Sequence, residues 1–227
     1  MIGIIVAEEE ELDCIKVKIE NIEEKNIKGS IFYTGIINSK YVVVTKGSVG
    51  KVNSARTTQM LIDLFNIELI INIGVAGGIS SSLKIGDIII AEKLAQYDID
   101  LSAFGRKLGE LPNTKERFFY SDKEIIDKCK MIKSSDQNIY LGVITSGDRF
   151  VTSVEFSEFL KEEFGADAVE MEGAAVAQVC TLSDVPFLII RGISDCPNDE
   201  NKIDFQKFLV ESSKRVSEYI TNLIEIL

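Results

Sequence analysis

Short, unbroken runs of apolar residues recur along the chain at 2–6, 41–45, 69–73, 87–91, 139–144 and 187–193, and most of their members are Ile or Val. Runs that do not alternate predict strands covered on both faces, as in a sheet held between helices. Between them, apolar residues fall at three- and four-residue spacing near 8–19, 51–65, 122–132, 153–164, 171–183 and 205–227, which predicts helices. In the last of these, Phe205, Phe208, Leu209, Val216, Ile220 and Leu223 share a side. The alternation predicts one domain over residues 1–227, a three-layer α/β/α sandwich around a mixed, mostly parallel sheet. No Gly/Ser/Pro-rich linker interrupts it, and the three prolines stand at 112, 186 and 197. Residues 96–118 show no clear period, and a loop that long in a compact domain is usually functional or covers a partner.

Composition narrows the chemistry. With 25 basic and 36 acidic residues the net charge is −11, which argues against nucleic acid and anionic membrane as partners. There is no histidine, so a Ser-His-Asp triad, a Cys-His dyad and an imidazole base are all excluded. Acid–base work near neutral pH then falls to carboxylates, Cys, Lys or Tyr with shifted pKa values. The four cysteines, at 14, 129, 180 and 196, have no C-x-x-C spacing, so a zinc site is not expected. The apolar opening has no basic segment before it and runs into Glu8–Glu11, unlike a secretory signal. No apolar run is long enough to cross a bilayer. A reduced, cytoplasmic protein is the expectation.

Four constellations stand out, each with a plain structural reading beside the chemical one. Glu8–Glu11 after the first strand fits a helix start, where carboxylates suit the dipole. Glu8 and Glu11, however, share a side with Leu12, Ile15 and Ile19, and carboxyl ends of strands are where α/β sheets bind ligands, which makes Glu11 the candidate. The stretch 69–78 is a strand running into Gly74, Gly77 and Gly78, which is either a tight turn or a close backbone approach to a ligand. It lacks the phosphate fingerprints G-x-G-x-x-G and G-K-[ST]. In 168–176, Glu172 faces an apolar side and needs donors such as vicinal sugar hydroxyls, whereas capping a helix start rivals any ligand role for Glu170. Finally, Arg191 sits within the apolar run 187–193 and requires a carboxylate partner, for which Glu11 or Glu172 is expected. Asp195, ending that strand, is either a surface N-cap or a desolvated acid kept protonated.

Taken in order, Ala7-Glu8-Glu9-Glu10-Glu11, Gly47-Ser48-Val49-Gly50-Lys51-Val52, residues 72–78, Ser146-Gly147-Asp148-Arg149-Phe150, Val169-Glu170-Met171-Glu172 and Ile193-Ser194-Asp195 resemble the bacterial 5′-methylthioadenosine/S-adenosylhomocysteine nucleosidases of the nucleoside phosphorylase superfamily. The resemblance runs from residue 1 to about 210. It implies a metal-free, cofactor-free homodimer that hydrolyses the bond between adenine and a 5′-thio-substituted ribose. On this chain it makes Glu11 the carboxylate that activates water, Glu172 the acceptor of ribose hydroxyls and Asp195 the acid at adenine N7, with Arg191 supporting them. It places Val75, Ala76, Gly77, Glu170 and Ser194 around the substrate, Phe150 and Val151 at the purine, Met171 at the ribose and Phe205 near the base. Val49, Phe104 and Pro112 fall in the 5′-alkylthio pocket, the last two from the partner subunit. The chain departs from the pattern at Val75, where a hydroxyl residue is usual, and at Glu8, where Met is common. Futalosine hydrolysis, a purine nucleoside phosphorylase and a non-catalytic nucleoside-binding protein are the competing readings. A phosphorylase would need phosphate-binding arginines in the N-terminal half, and the first Arg is Arg56.

Overall fold

The structure is a computed structural model that describes residues 1–112, 116–132, 138–196 and 205–227, the last segment without the side chains of 205–207. Ten strands form one mixed sheet: β1 Ile2–Val6, β2 Glu20–Ile27, β3 Ser30–Ile37, β4 Lys40–Lys46, β5 Leu69–Gly78, β6 Ile88–Gln96, β7 Phe119–Tyr120, β8 Ile139–Ser146, β9 Ala168–Glu170 and β10 Phe187–Asp195. The helices are α1 Glu9–Lys16, α2 Lys51–Leu64, α3 Lys123–Cys129, α4 Val154–Phe164, α5 Gly173–Leu182 and α6 Phe205–Ile226.

Both faces of β1 are buried, which is why its sequence does not alternate. Ile2, Ile4 and Val6 pack with Leu12 and Ile15 of α1 and Ile220 and Leu223 of α6. Ile5 points the other way, into a cluster with Leu61 of α2 and Ala174, Val176 and Cys180 of α5. A third cluster lies under α4, built on Leu160, Phe164, Tyr97, Val151 and Val169. The predicted three-layer α/β/α arrangement is what these clusters produce.

The sheet is not a simple open one. Parallel pairing links β4, β1, β5 and β10 side by side, and also β6, β8 and β9. Antiparallel pairs then join β10 to β6 and β9 to β5, so β5, β10, β6, β8 and β9 close into a ring. Antiparallel β2 and β3 extend the sheet beyond β4. No strand was expected between 20 and 37, because β2 is an exposed, charged edge with no buried run. The stretch 96–118 includes the end of β6, a 3-10 turn at Ser102–Phe104, and residues 113–115 that lie outside the described residues. Among the described residues, no helix is long and apolar enough to cross a membrane.

Candidate active site

The pocket opens where the parallel strands β1, β5 and β10 end, which is the crevice position in open α/β sheets. β5 supplies Val75, Ala76 and Gly77 as its floor, β1 leads into Ala7 and Glu8, and β10 delivers Ser194 and Asp195. The far wall is Arg149, Phe150, Val151, Val169, Glu170, Met171 and Glu172, and Val49 closes the β4 side. Twelve of the expected site residues therefore meet in one cavity: Glu11, Val49, Val75, Ala76, Gly77, Phe150, Val151, Glu170, Met171, Glu172, Ser194 and Asp195.

Glu11 reaches the cavity because it stands in the first turn of α1 on the side of Leu12 and Ile15, and it is only 3% exposed. One carboxylate oxygen accepts the amides of Ala7 (2.7 Å) and Glu8 (3.0 Å), and the other accepts the amide of Val75 (3.2 Å). Burial nevertheless raises its pKa, against the lowering by the Glu8 and Ala7 amide bonds and by the charge of Arg191. The carboxylate lies directly over Gly74, where a Cβ would come within 2.8 Å of Oε1. Glycine at 74 is what leaves room for it.

Asp195 is aimed by a bulge. Ile193 pairs with Ala76 and Asp195 with Gly77, so Ser194 is the extra residue, and such an insertion re-aims the side chain that follows. The Ser194 hydroxyl donates to Asp195 Oδ1 at 2.8 Å. Burial raises the pKa of Asp195, with only the Ser194 bond opposing it. Asp195 lines the cavity half-buried, as the desolvated-acid reading requires.

Glu172 is the N-cap residue of α5 and is buried. Its carboxylate accepts the amide of Gly50 at 2.8 Å, a contact made by the loop before α2, where Gly50 has φ +98°. Its pKa is pushed up to about 8, first by burial and then by the neighbouring charge of Glu170, with Arg191 and the Gly50 amide opposing.

Arg191 departs from expectation. It pairs with neither Glu11 nor Glu172 and does not line the cavity; it lies beneath it, 1% exposed, with Nη2 2.5 Å from Glu170. Its other bonds go to the Asn72 side chain (2.5 Å) and to the carbonyls of Asn72 and Ile190. Glu170 is closer because β9, β5 and β10 converge in the closed ring, an arrangement that sequence spacing does not reveal. Glu170 also accepts the amides of Glu172 (3.1 Å) and Gly173 (2.7 Å) and the hydroxyl of Ser146. Its carboxylate thus belongs to the framework, the capping role open to it from sequence, although the residue lines the cavity.

Phe104 is 81% exposed and Pro112 is exposed, and neither touches this cavity. Phe205 opens α6, but its side chain lies outside the described residues. Sequence reading missed Ala7, Arg149 and Val169 on the wall, and Asn72, Ser146 and Gly50 as partners of the buried charges, while Glu8, on the same helix side as Glu11, also lines the cavity. Asn72 was a polar residue within a buried apolar run, which was the available signal. Among the described residues, no cluster of three or more ligating side chains could hold a metal ion.

Fold and site together define an α/β protein whose strand ends deliver buried carboxylates to one pocket. A model of the phosphorylase superfamily matches residues 1–225. A protein of Staphylococcus haemolyticus named 5′-methylthioadenosine/S-adenosylhomocysteine nucleosidase is 41% identical over the full length of both chains. Among solved structures, the nucleosidase of that name from S. pneumoniae, held with the transition-state inhibitor MT-ImmA, superposes with TM-score 0.93 at 37% identity, covering 99% of this chain and 98% of its own. A futalosine hydrolase of Helicobacter pylori superposes with TM-score 0.94 at 36% identity, covering 100% and 97%. The chain belongs to the phosphorylase superfamily, in the branch of the 5′-methylthioadenosine/S-adenosylhomocysteine nucleosidases.

Proposed function

We propose that this chain hydrolyses the N-glycosidic bond of 5′-methylthioadenosine and S-adenosylhomocysteine, releasing adenine and the 5′-thio-substituted ribose. The observation that carries the reading is the separation of two carboxylates, half-buried Asp195 on β10 and buried Glu11 after β1, on opposite sides of the β5 floor. Adenine anion is a poor leaving group, so Asp195, its pKa raised by burial, gives its proton to N7 as the C1′–N9 bond breaks. Positive charge develops on the ribose and is stabilised by carboxylates in a site with little water. Water adds to C1′ from the other face and gives a proton to Glu11. Burial raises the basicity of that carboxylate toward the working pH. Glu172, at the α5 N-terminus, accepts from the ribose hydroxyls, and Phe150 stacks on the base.

Hydrolysis is favoured over phosphorolysis by the charges present. Arg149 is the cationic residue on the wall, and its guanidinium lies over the Phe156 ring at 4.6 Å. A phosphate would want bidentate cationic anchors, and the remaining wall is carboxylates, Ser194 and apolar residues. Incubation with methylthioadenosine, with and without phosphate, decides between them. Free 5-methylthioribose formed at a phosphate-independent rate is expected; the 1-phosphate would overturn the reading.

The same reading makes the enzyme a homodimer in which Phe104 and Pro112 border the neighbouring 5′ pocket. Their exposure here, and their distance from their own chain's cavity, support it. The free thiols of Cys14, Cys129 and Cys180 fit a reduced, cytoplasmic setting.

A further inference from the structure

Glu8 lines the cavity, half-buried, and no step of the proposed hydrolysis uses it. Its place along the cavity follows from the strand order. β10, β5, β1 and β4 lie side by side and parallel, so their carboxyl ends open in sequence along the pocket floor. Asp195 ends β10, Val75–Gly77 belong to β5, Ala7 and Glu8 follow β1, and Val49 follows β4. Two strand spacings, about 10 Å, separate the Asp195 end from the Glu8 end. A nucleoside whose base meets Asp195 and whose ribose lies over Glu172 and Glu11 projects its 5′ substituent toward Glu8 and Val49.

The charges at that end are unbalanced. Lys46, the cation that closes β4, is paired with Glu9, and Glu10 adds a further negative charge. Lys51, beyond Val49, is paired with Asp98 at 2.5 Å. Arg149 stands on the β8 side with its guanidinium over Phe156 of α4. The Glu8 carboxylate takes part in the α1 capping box, accepting the Glu11 amide, and among the described residues no ion pair offsets its charge.

We propose that Glu8 is a specificity-determining residue that selects 5′-thio substituents bearing an ammonium group and disfavours those bearing only a carboxylate. The proposal rests on the nucleosidase reading and names the substrate chemistry of that same site. For S-adenosylhomocysteine, it puts the amino group of the tail against Glu8 and turns the tail carboxylate out to water. For a nucleoside whose 5′ arm ends in a lone carboxylate, Glu8 repels the arm.

Two nucleosides with the same two-carbon linker test it: 5′-(2-aminoethylthio)-5′-deoxyadenosine and 5′-(2-carboxyethylthio)-5′-deoxyadenosine, with adenine release measured for each. In the wild type, kcat/KM for the amine is expected to exceed that for the acid by about tenfold, the scale of one partly exposed charge acting with opposite sign on two ligands. High salt should shrink the ratio, because an exposed charge is screened. Glu8→Gln should lower it at least about threefold, and Glu8→Lys should invert it. A wild-type ratio near one that salt does not move overturns the proposal even if the variants fail to fold. So does a ratio unchanged in folded Glu8→Gln, with adenine still released from methylthioadenosine, which leaves the nucleosidase reading standing. No adenine from any of the three nucleosides overturns both.

Discussion

Asp195 and its Ser194 bond define the acid as one side chain, so Asp195→Asn should keep the fold and nucleoside affinity while losing turnover. General acid catalysis is worth about 10²–10⁴-fold, and retention of more than about a tenth of kcat would remove Asp195 from that role. Gly74→Ala tests Glu11 without touching a carboxylate. The new Cβ would meet Glu11 Oε1 at 2.8 Å and push the buried carboxylate off the Val75 amide, so kcat should fall about tenfold or more and stability by about 1–3 kcal/mol. Unaltered kcat in Gly74→Ala would mean that the Glu11 position is not critical. Glu172 carries a pH signature. Its pKa is near 4.5 ordinarily and about 8 in the fold, so the folded state holds a proton that the unfolded chain has released. Its contribution is present below about pH 4.5 and is lost as pH rises through about 8. Denaturant midpoints should therefore fall from pH 5 to pH 8 more steeply in wild type than in Glu172→Gln. Equal slopes would contradict the shift. Much of this site was legible in the sequence, because Glu11 and Glu172 each fall on the apolar side of a helix pattern and Asp195 ends an apolar strand run. The partner of Arg191 was not, since a buried guanidinium demands a carboxylate but spacing does not say which.

At the scale of elements, the α5 N-terminus is fixed by side chains from other strands. Glu170 of β9 accepts two of its amides, Ser146 of β8 accepts the amide of Ala174 at 2.7 Å, and Arg191 of β10 holds Glu170 from below. Asn72 of β5 binds Arg191 and, through Nδ2, the carbonyl of Ile5 in β1. The strands that carry the proposed acid and ribose acceptor are thereby tied to one another. A second tie joins the two loops over the pocket: Asp148 accepts the amide of Lys51 at 2.8 Å, and Asp98 receives both the Lys51 ammonium and the Asp148 amide. Glu170→Gln would leave the Arg191 charge buried without a counterion, and breaking such a pair costs about 3–5 kcal/mol. A large drop in denaturant midpoint, with loss of ribose binding in whatever remains folded, is expected; a change below about 1 kcal/mol would show that Asn72 and carbonyls alone suffice for Arg191. Helices and inner strands were readable from sequence because their burial sets a period. The β2–β3 hairpin was not, since Glu20–Ile27 turns charged residues to water and is held by edge pairing. Nor was β9, whose three residues are too short to show any period.

At the scale of the whole molecule, the surface leaves large apolar side chains exposed: Phe104 at 81%, Val52 at 78% and Leu182 at 76%. Val52 lies in the first turn of α2 and Leu182 ends α5, two helices of one layer. Under the dimer proposed above, Phe104 serves the other subunit's pocket, so each site is assembled from two chains. That arrangement has a consequence a monomer cannot imitate. Asp195→Asn inactivates the site of its own chain but still donates an intact Phe104 to the other. Phe104→Asp keeps its own Asp195 but spoils the partner's pocket. Each variant alone should be a poorly active homodimer. Mixed, unfolded and refolded together in equal amounts, half the dimers carry both chains, and in each of those one site draws Asp195 and Phe104 from intact positions. Recovery should approach about a quarter of the wild-type sites, as expected for an isologous two-fold dimer with random pairing. Activity equal to the mean of the two homodimers would mean that Phe104 acts within its own chain or not at all, and sedimentation of a fully active monomer would exclude the shared site outright.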